Sequence, residues 1–162
     1  MVSANTLLYT SIRILTSLKQ FGIFVILINR INYNQLAMNF KIDTKEIFYV
    51  ISLNEKMLTA NMAEELILFV AEKQKEANKS LVISLQNVTE IEDGAFESIK
   101  QLHENTYEGK KSLVLCGLSP AIKKSFEQKE LTEKINITPT ESEAWDIVQM
   151  EEIERELDID FE

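Results

Sequence analysis

The stretch Leu81-Val82-Ile83-Ser84-Leu85 restricts the fold more than any other. It is apolar with one interruption and too short for an ordinary buried helix. A strand of this kind has to be covered on both faces or nearly so, as strands are in parallel sheets flanked by helices. The neighbouring residues agree. A short loop, Gln86 to Glu90, leads into Ile91-Glu92-Asp93-Gly94-Ala95-Phe96, which opens a helix running to about Tyr107. Ala95, Phe96, Ile99, Leu102 and Thr106 share one face of it. A strand that feeds a helix N-terminus through a loop aims backbone N–H groups and the positive end of the helix dipole at one spot. A phosphate or carboxylate is favoured there, and Glu92 and Asp93 supply two carboxylates. They read equally well as N-terminal caps.

The rest of the chain repeats the alternation. Phe40-Lys41-Ile42 reads as a short strand, Asp43-Thr44-Lys45-Glu46 as a hairpin turn, and Ile47 to Leu53 as a strand rich in β-branched and aromatic residues. Thr59 can cap a helix over about Ala60 to Ala77, in which Met62, Leu66, Phe69, Val70 and Ala77 form one stripe. Gly109 ends the central helix, and Ser112 to Cys116 is the next strand. Ser119-Pro120 starts a short helix, with a capping hydroxyl before a proline at the first helical position. Ile135-Asn136-Ile137 is a short strand, and Thr140-Glu141-Ser142-Glu143 fits a capping box for a last helix anchored by Ala144, Trp145 and Val148. The order β-β-α-β-α-β-α-β-α predicts an α/β domain with a mixed sheet of four to five strands and helices packed mainly on one side.

Charge narrows the function classes. All 26 acidic residues lie at or after Asp43, and 14 of the 17 basic residues accompany them, so residues 38–162 are strongly acidic. Such a surface repels nucleic acid and suits a basic protein surface. Cys116 is the only cysteine, so no intrachain disulfide can form and a reducing, cytoplasmic compartment fits. It reads as a small buried apolar residue. His103 is the only histidine, which leaves no second imidazole for a zinc site, and it reads as a boundary residue. No cofactor is expected. An enzyme built on Glu92 and Asp93 lacks an accompanying nucleophile, metal set or glycine-rich phosphate loop, so a non-enzymatic role is expected.

Residues 1–37 differ from the rest of the chain. They hold no acid and carry Arg13, Lys19 and Arg30. Their longest apolar run, Phe21 to Ile28, falls short of the roughly 20 residues that span a bilayer, and no clear secretory cleavage site comes after it. An interfacial anchor is one reading. The preferred one is a translated upstream extension, with Met38 as the natural start. The expected division is therefore an extension over 1–37, a domain over 38–150 and an acidic tail over 151–162. That tail reads either as a solvated helix end that frays or as a determinant of partner choice.

From Met38 to about Val148 the chain resembles the STAS domain, the module shared by sulfate transporters and bacterial anti-sigma factor antagonists. The most specific match is the run from Gly109 through Ser112-Leu113-Val114-Leu115-Cys116 to Ser119-Pro120-Ala121-Ile122-Lys123-Lys124-Ser125-Phe126, which matches the family's glycine, strand and "SPAVKRLF"-like helix. Leu131 stands where the family often has its "GL", and Thr140 to Ala144 resembles the start of its terminal helix. Leu58 to Leu66 resembles the start of its first helix. The resemblance implies a protein-binding module of bacterial signalling and transcription regulation. Its partner would be an anti-sigma factor or ATPase-fold kinase, docked around Thr59, Glu92, Asp93, Gly94 and Ser119. The alternative it implies is a small structural subunit of a larger complex, such as a lipid-transport ABC assembly.

The key motif departs from the family pattern. Antagonists usually read Asp-Ser-Ser/Thr-Gly after the third strand, with the first serine phosphorylated to block the partner. Here the matching residues are Glu92-Asp93-Gly94-Ala95, so Asp93 occupies the phosphoacceptor position. The usual strand aspartate appears as Ser84, and the glycine before the first helix is replaced around Asn54. A serine kinase cannot act on Asp93. Either the switch is locked, or it has moved to Thr89 or Ser98, or binding no longer involves phosphorylation.

Overall fold

Phe40–Thr44 (β1) and Phe48–Leu53 (β2) pair antiparallel in register, with Phe40 opposite Leu53 and Thr44 opposite Tyr49. The computed structural model describes residues 38–159, so the readings made for residues 1–37 lie outside the described residues. After β2 come the two-residue strand Met57–Leu58 (β3) and the helix Ala60–Glu76 (α1). Ser80–Ser84 (β4), Glu90–Ile91 (β5) and Asp93–Glu108 (α2) are next in the chain. It continues through Leu113–Cys116 (β6), Pro120–Gln128 (α3), Asn136–Thr138 (β7) and Glu141–Ile159 (α4). The main sheet runs β1-β2-β4-β6-β7, parallel except at β1, while β3 and β5 form a separate two-stranded parallel ribbon. This is the mixed α/β architecture expected.

The two faces of the sheet obey the period of two along each strand. Phe48, Val50, Val82, Val114 and Cys116 point one way and pack with Ala144 and Val148 of α4. Tyr49, Ile51, Ile83 and Leu115 alternate with them, so they point to the other face, and all are buried. On that side the Tyr49 hydroxyl reaches the Ala77 carbonyl after α1, and Phe40 packs edge-on against Phe69 of α1. Helices α1 and α2 pack on each other, and Phe126 of α3 meets Phe96 of α2 with ring centroids 4.9 Å apart. Three helices therefore share one face and α4 takes the other. This two-sided cover is why β4 and β6 are apolar at nearly every position. Cys116 lies in this core, and burial raises its thiol pKa.

The end of α2 differs from its expected form. Gly109 caps α2 with an ordinary φ of −73°, and the left-handed residue is the next one, Lys110, at φ 55°. Lys110 N–H donates to the Tyr107 carbonyl and Lys111 N–H to the Thr106 carbonyl, the pairing of a Schellman motif. Helix α3 ends the same way. Glu130 is left-handed at φ 57°, its N–H donates to the Glu127 carbonyl, and Leu131 N–H donates to the Phe126 carbonyl. Residues 151–159 continue α4.

Candidate functional site

The C-terminal ends of the parallel strands deliver the chain to three helix N-termini. Thr59 precedes α1, and its Oγ1 accepts from the Met62 N–H at 3.3 Å. Ser119 precedes α3, and its Oγ accepts from the Ile122 N–H at 3.4 Å. Glu92 precedes α2 but makes no side-chain cap to it. Its Oε2 instead accepts from the N–H of Ala60, the first residue of α1, at 2.7 Å. Glu92 therefore caps a helix that begins 32 residues earlier in the chain. The β3–β5 ribbon sets up this exchange. Leu58 pairs with Ile91, and the Glu92 N–H donates to the Leu58 carbonyl at 3.0 Å. The starts of α1 and α2 are thereby brought side by side.

Gly94 shows how close they come. A Cβ added there would stand 2.8 Å from the Ala60 Cβ, inside the contact distance of real side chains. The glycine therefore serves the approach of two helices rather than a special backbone angle.

Asp93 faces away from Glu92's task. Its carboxylate is exposed and pairs with Lys129 Nζ at 2.8 Å. Lys129 is the C-cap of α3, and the same ammonium lies 5.0 Å from the Phe96 ring centroid, a cation–π arrangement. The hydrogen bond and charge of Lys129 hold the Asp93 carboxyl below its usual pKa. An exposed pair of this kind contributes little to stability, so the interaction chiefly neutralises charge at this point of the surface.

The two carboxylates thus diverge. Glu92 lines a groove of about 480 Å³ with Met57, Thr59, Phe96, Ile122 and Ser125. Asp93 lines an adjoining pocket of about 420 Å³ bordered by Phe96, in which Lys100, Lys129 and Lys134 are interspersed with Glu97, Glu130 and Glu133. The Phe96 ring is shared between them. Of the residues singled out from sequence, Thr59 and Glu92 meet in the groove, Asp93 lies beside it and Gly94 holds the helices together. Ser119 caps α3, whose first turns supply Ala121 and Ile122 to the groove wall. The hydroxyls considered as displaced phosphosites are both bonded to backbone. Thr89 Oγ1 donates to the Lys56 carbonyl at 3.0 Å and Ser98 Oγ to the Gly94 carbonyl at 3.4 Å.

Lys129 and Phe96 were absent from the sequence-derived site. Phe96 was visible only as a core residue of α2. Lys129 carries no local signal, because its partner lies 36 positions away and only the fold joins them. His103 is half-buried beside Tyr107, with ring centroids 6.2 Å apart, and burial lowers its pKa. Among the described residues no group of three or more His, Cys, Asp or Glu side chains could hold a metal ion. Among them, too, no helix is long and apolar enough to cross a membrane.

Comparison with solved structures finds the same fold in distant proteins. The Bacillus cell fate determinant SpoIIAA in its phosphorylated form superposes with a TM-score of 0.54 at 16% identity, over 68% of this chain and 99% of that one. An anti-sigma-factor antagonist (STAS) domain protein of Planctomyces limnophilus gives 0.56 at 19% identity, over 65% and 92%. The murine anion transporter Solute Carrier 26 family member A9 gives 0.59 at 12% identity, over 80% of this chain and 24% of the transporter. The family model for the STAS domain matches residues 39–144. On the strength of that match and the shared fold, the chain belongs to the STAS domain family.

Proposed function

We propose that this domain is a non-enzymatic protein-binding module of the anti-sigma factor antagonist type, held permanently in a binding-competent state. The docking face is the surface where α1, α2 and α3 begin, around Thr59, Glu92, Asp93, Gly94 and Ser119. The observation that carries the reading is the Asp93–Lys129 ion pair at the start of α2. A phosphoserine at a helix N-terminus adds roughly −1.5 to −2 of charge. Asp93 adds a single negative charge, and Lys129 cancels it. The local electrostatics then resemble an unmodified hydroxyl more than a phosphate, so a partner repelled by phosphate is accepted. The partner class is an anti-sigma factor, as the name of one structural neighbour suggests, or an ATPase-fold kinase, as the family resemblance implies. Cytoplasmic action fits this reading.

The test is affinity capture from cells of the source organism with the full chain, and then titration of the captured protein. Capture of a kinase-fold regulator that binds wild type and loses affinity when Lys129→Glu replaces the cancelling charge with a second negative one supports the proposal. Capture of transporter subunits would favour a structural subunit of a larger complex, a reading that the shared fold with a membrane transporter's domain keeps in view.

A further inference from the structure

Helix α4 carries two working faces. Toward the sheet it presents Ala144 and Val148, and beyond them Glu151, Glu152 and Arg155. Glu152 bonds Lys111 at 2.9 Å and accepts from the Ser80 hydroxyl at 2.8 Å, while Glu151 takes the Asn136 side-chain amide at 2.6 Å and pairs with Arg155 at 3.2 Å. On the opposite side Met150, Ile153 and Leu157 are 58%, 56% and 54% exposed. They fall at i, i+3 and i+7, the spacing of a coiled-coil seam. Isolated exposed apolar side chains are ordinary. Three in seam register, on the side pointing away from the core, form a stripe ready for another helix.

The flanks of the stripe decide what kind of helix. In seam register Glu154 and Glu156 occupy the two positions that border the a and d knobs, and both are exposed. One heptad earlier Glu143 and Asp146, both exposed, fall on the seam positions themselves, so the apolar stripe begins at Met150. The only base on α4 is Arg155, which faces the sheet and is held by Glu151 and Glu152. An antiparallel second copy of this helix would set the flanking glutamates against one another, and a parallel one would offer them no base, because Arg155 is turned to the sheet. An anionic lipid surface would be repelled as well.

We infer that the outer face of α4 docks an amphipathic helix of a partner protein, with apolar residues at its own seam positions and Lys or Arg at the flanking ones. This is independent of the docking face around Asp93, because α4 lies across the sheet from α1 and α2. The domain then joins two partners at once, one on each side of its sheet.

The probe is a synthetic helical peptide with Leu at the seam and Lys at the flanking positions, titrated into the full chain by fluorescence anisotropy. A peptide with Glu in place of Lys is the control. The Lys peptide is expected to bind saturably, about ten-fold or more tighter than the Glu peptide, and to weaken as salt is raised. Ile153→Asp is expected to remove binding without changing the circular dichroism spectrum. The double substitution Glu154→Lys/Glu156→Lys, which leaves the stripe intact, should reverse the preference between the peptides. No binding, equal binding of both peptides, or binding undiminished by Ile153→Asp overturns the inference. A concentration-dependent dimer abolished by Ile153→Asp also overturns it, by making a second copy the occupant.

Discussion

At residue scale, Gly94 and Ala60 form the tightest test of how the site is assembled. Any side chain at Gly94 must push α1 and α2 apart where they begin. Gly94→Ala is expected to destabilise the domain by about 1–2 kcal/mol, an overpacking cost partly offset by alanine's better helix propensity. Adding Ala60→Gly should recover part of that loss. Denaturant unfolding of the two single variants and the double would show this as a coupling energy, and strict additivity would place the contact elsewhere. The left-handed residues make a second prediction. Lys110 and Glu130 sit at φ 55° and 57°, where a Cβ is unfavourable. Lys110→Gly and Glu130→Gly should each raise stability by up to about 1 kcal/mol, read as a rise of a few degrees in Tm. The sequence showed where α2 stops through Gly109. It could not show that the strained position falls one residue later, because that offset is set by the carbonyls of Thr106 and Tyr107. At Glu130 no glycine or other local signal marks the left-handed residue, which the end of α3 alone sets.

At the scale of elements, most of the order of strands and helices was legible because each element carries its own period. The apolar stretches became β4 and β6, and the capping residues Thr59 and Ser119 start α1 and α3 as read. The cap at Thr140 takes a modified form. Its Oγ1 accepts from the Glu143 N–H at 3.2 Å and donates to the Glu143 carboxylate at 2.9 Å. The ribbon of β3 and β5 was illegible, since two-residue strands show no alternation. The second half of α4 was read by composition alone, and composition could not reveal that Glu151 and Glu152 face Ser80, Ser112 and Lys111 at the starts of the central strands β4 and β6.

That clamp has a pH signature. Burial alone would raise the Glu152 pKa, but the hydrogen bonds from Lys111 and Ser80 and the charges of Lys111 and Arg155 lower it from 4.5. A carboxylate with a lowered folded-state pKa stabilises the fold above its unfolded value. That contribution drains away as pH falls through the folded value. Glu152→Gln should therefore cost stability at neutral pH, by about 1–3 kcal/mol for a charged bond removed from a partly buried partner. Below the folded pKa of Glu152 the difference should shrink. Thermal unfolding of both proteins from pH 7 down to strong acid checks this. Parallel curves across the whole range would mean that Glu152 is not the titrating group.

At the scale of the whole molecule, the sheet was predictable from its strands, but the site was not, because it exists only between elements. Thr59, Glu92 and Asp93 were each found as helix-start residues. Which of them share a groove, which helix Glu92 caps, and what neutralises Asp93 all depend on packing across α1, α2 and α3. The central claim concerns that neutralised charge, and binding affinity tests it most directly. The captured regulatory partner would be titrated against the wild-type chain, Asp93→Ser and Lys129→Glu at low and moderate salt. Wild type and Asp93→Ser are expected to bind with similar affinity, and Lys129→Glu, which places about the charge of a phosphate at the start of α2, to bind far more weakly, most of all at low salt. Binding by Asp93→Ser far tighter than by wild type would contradict the account and make Asp93 a standing block.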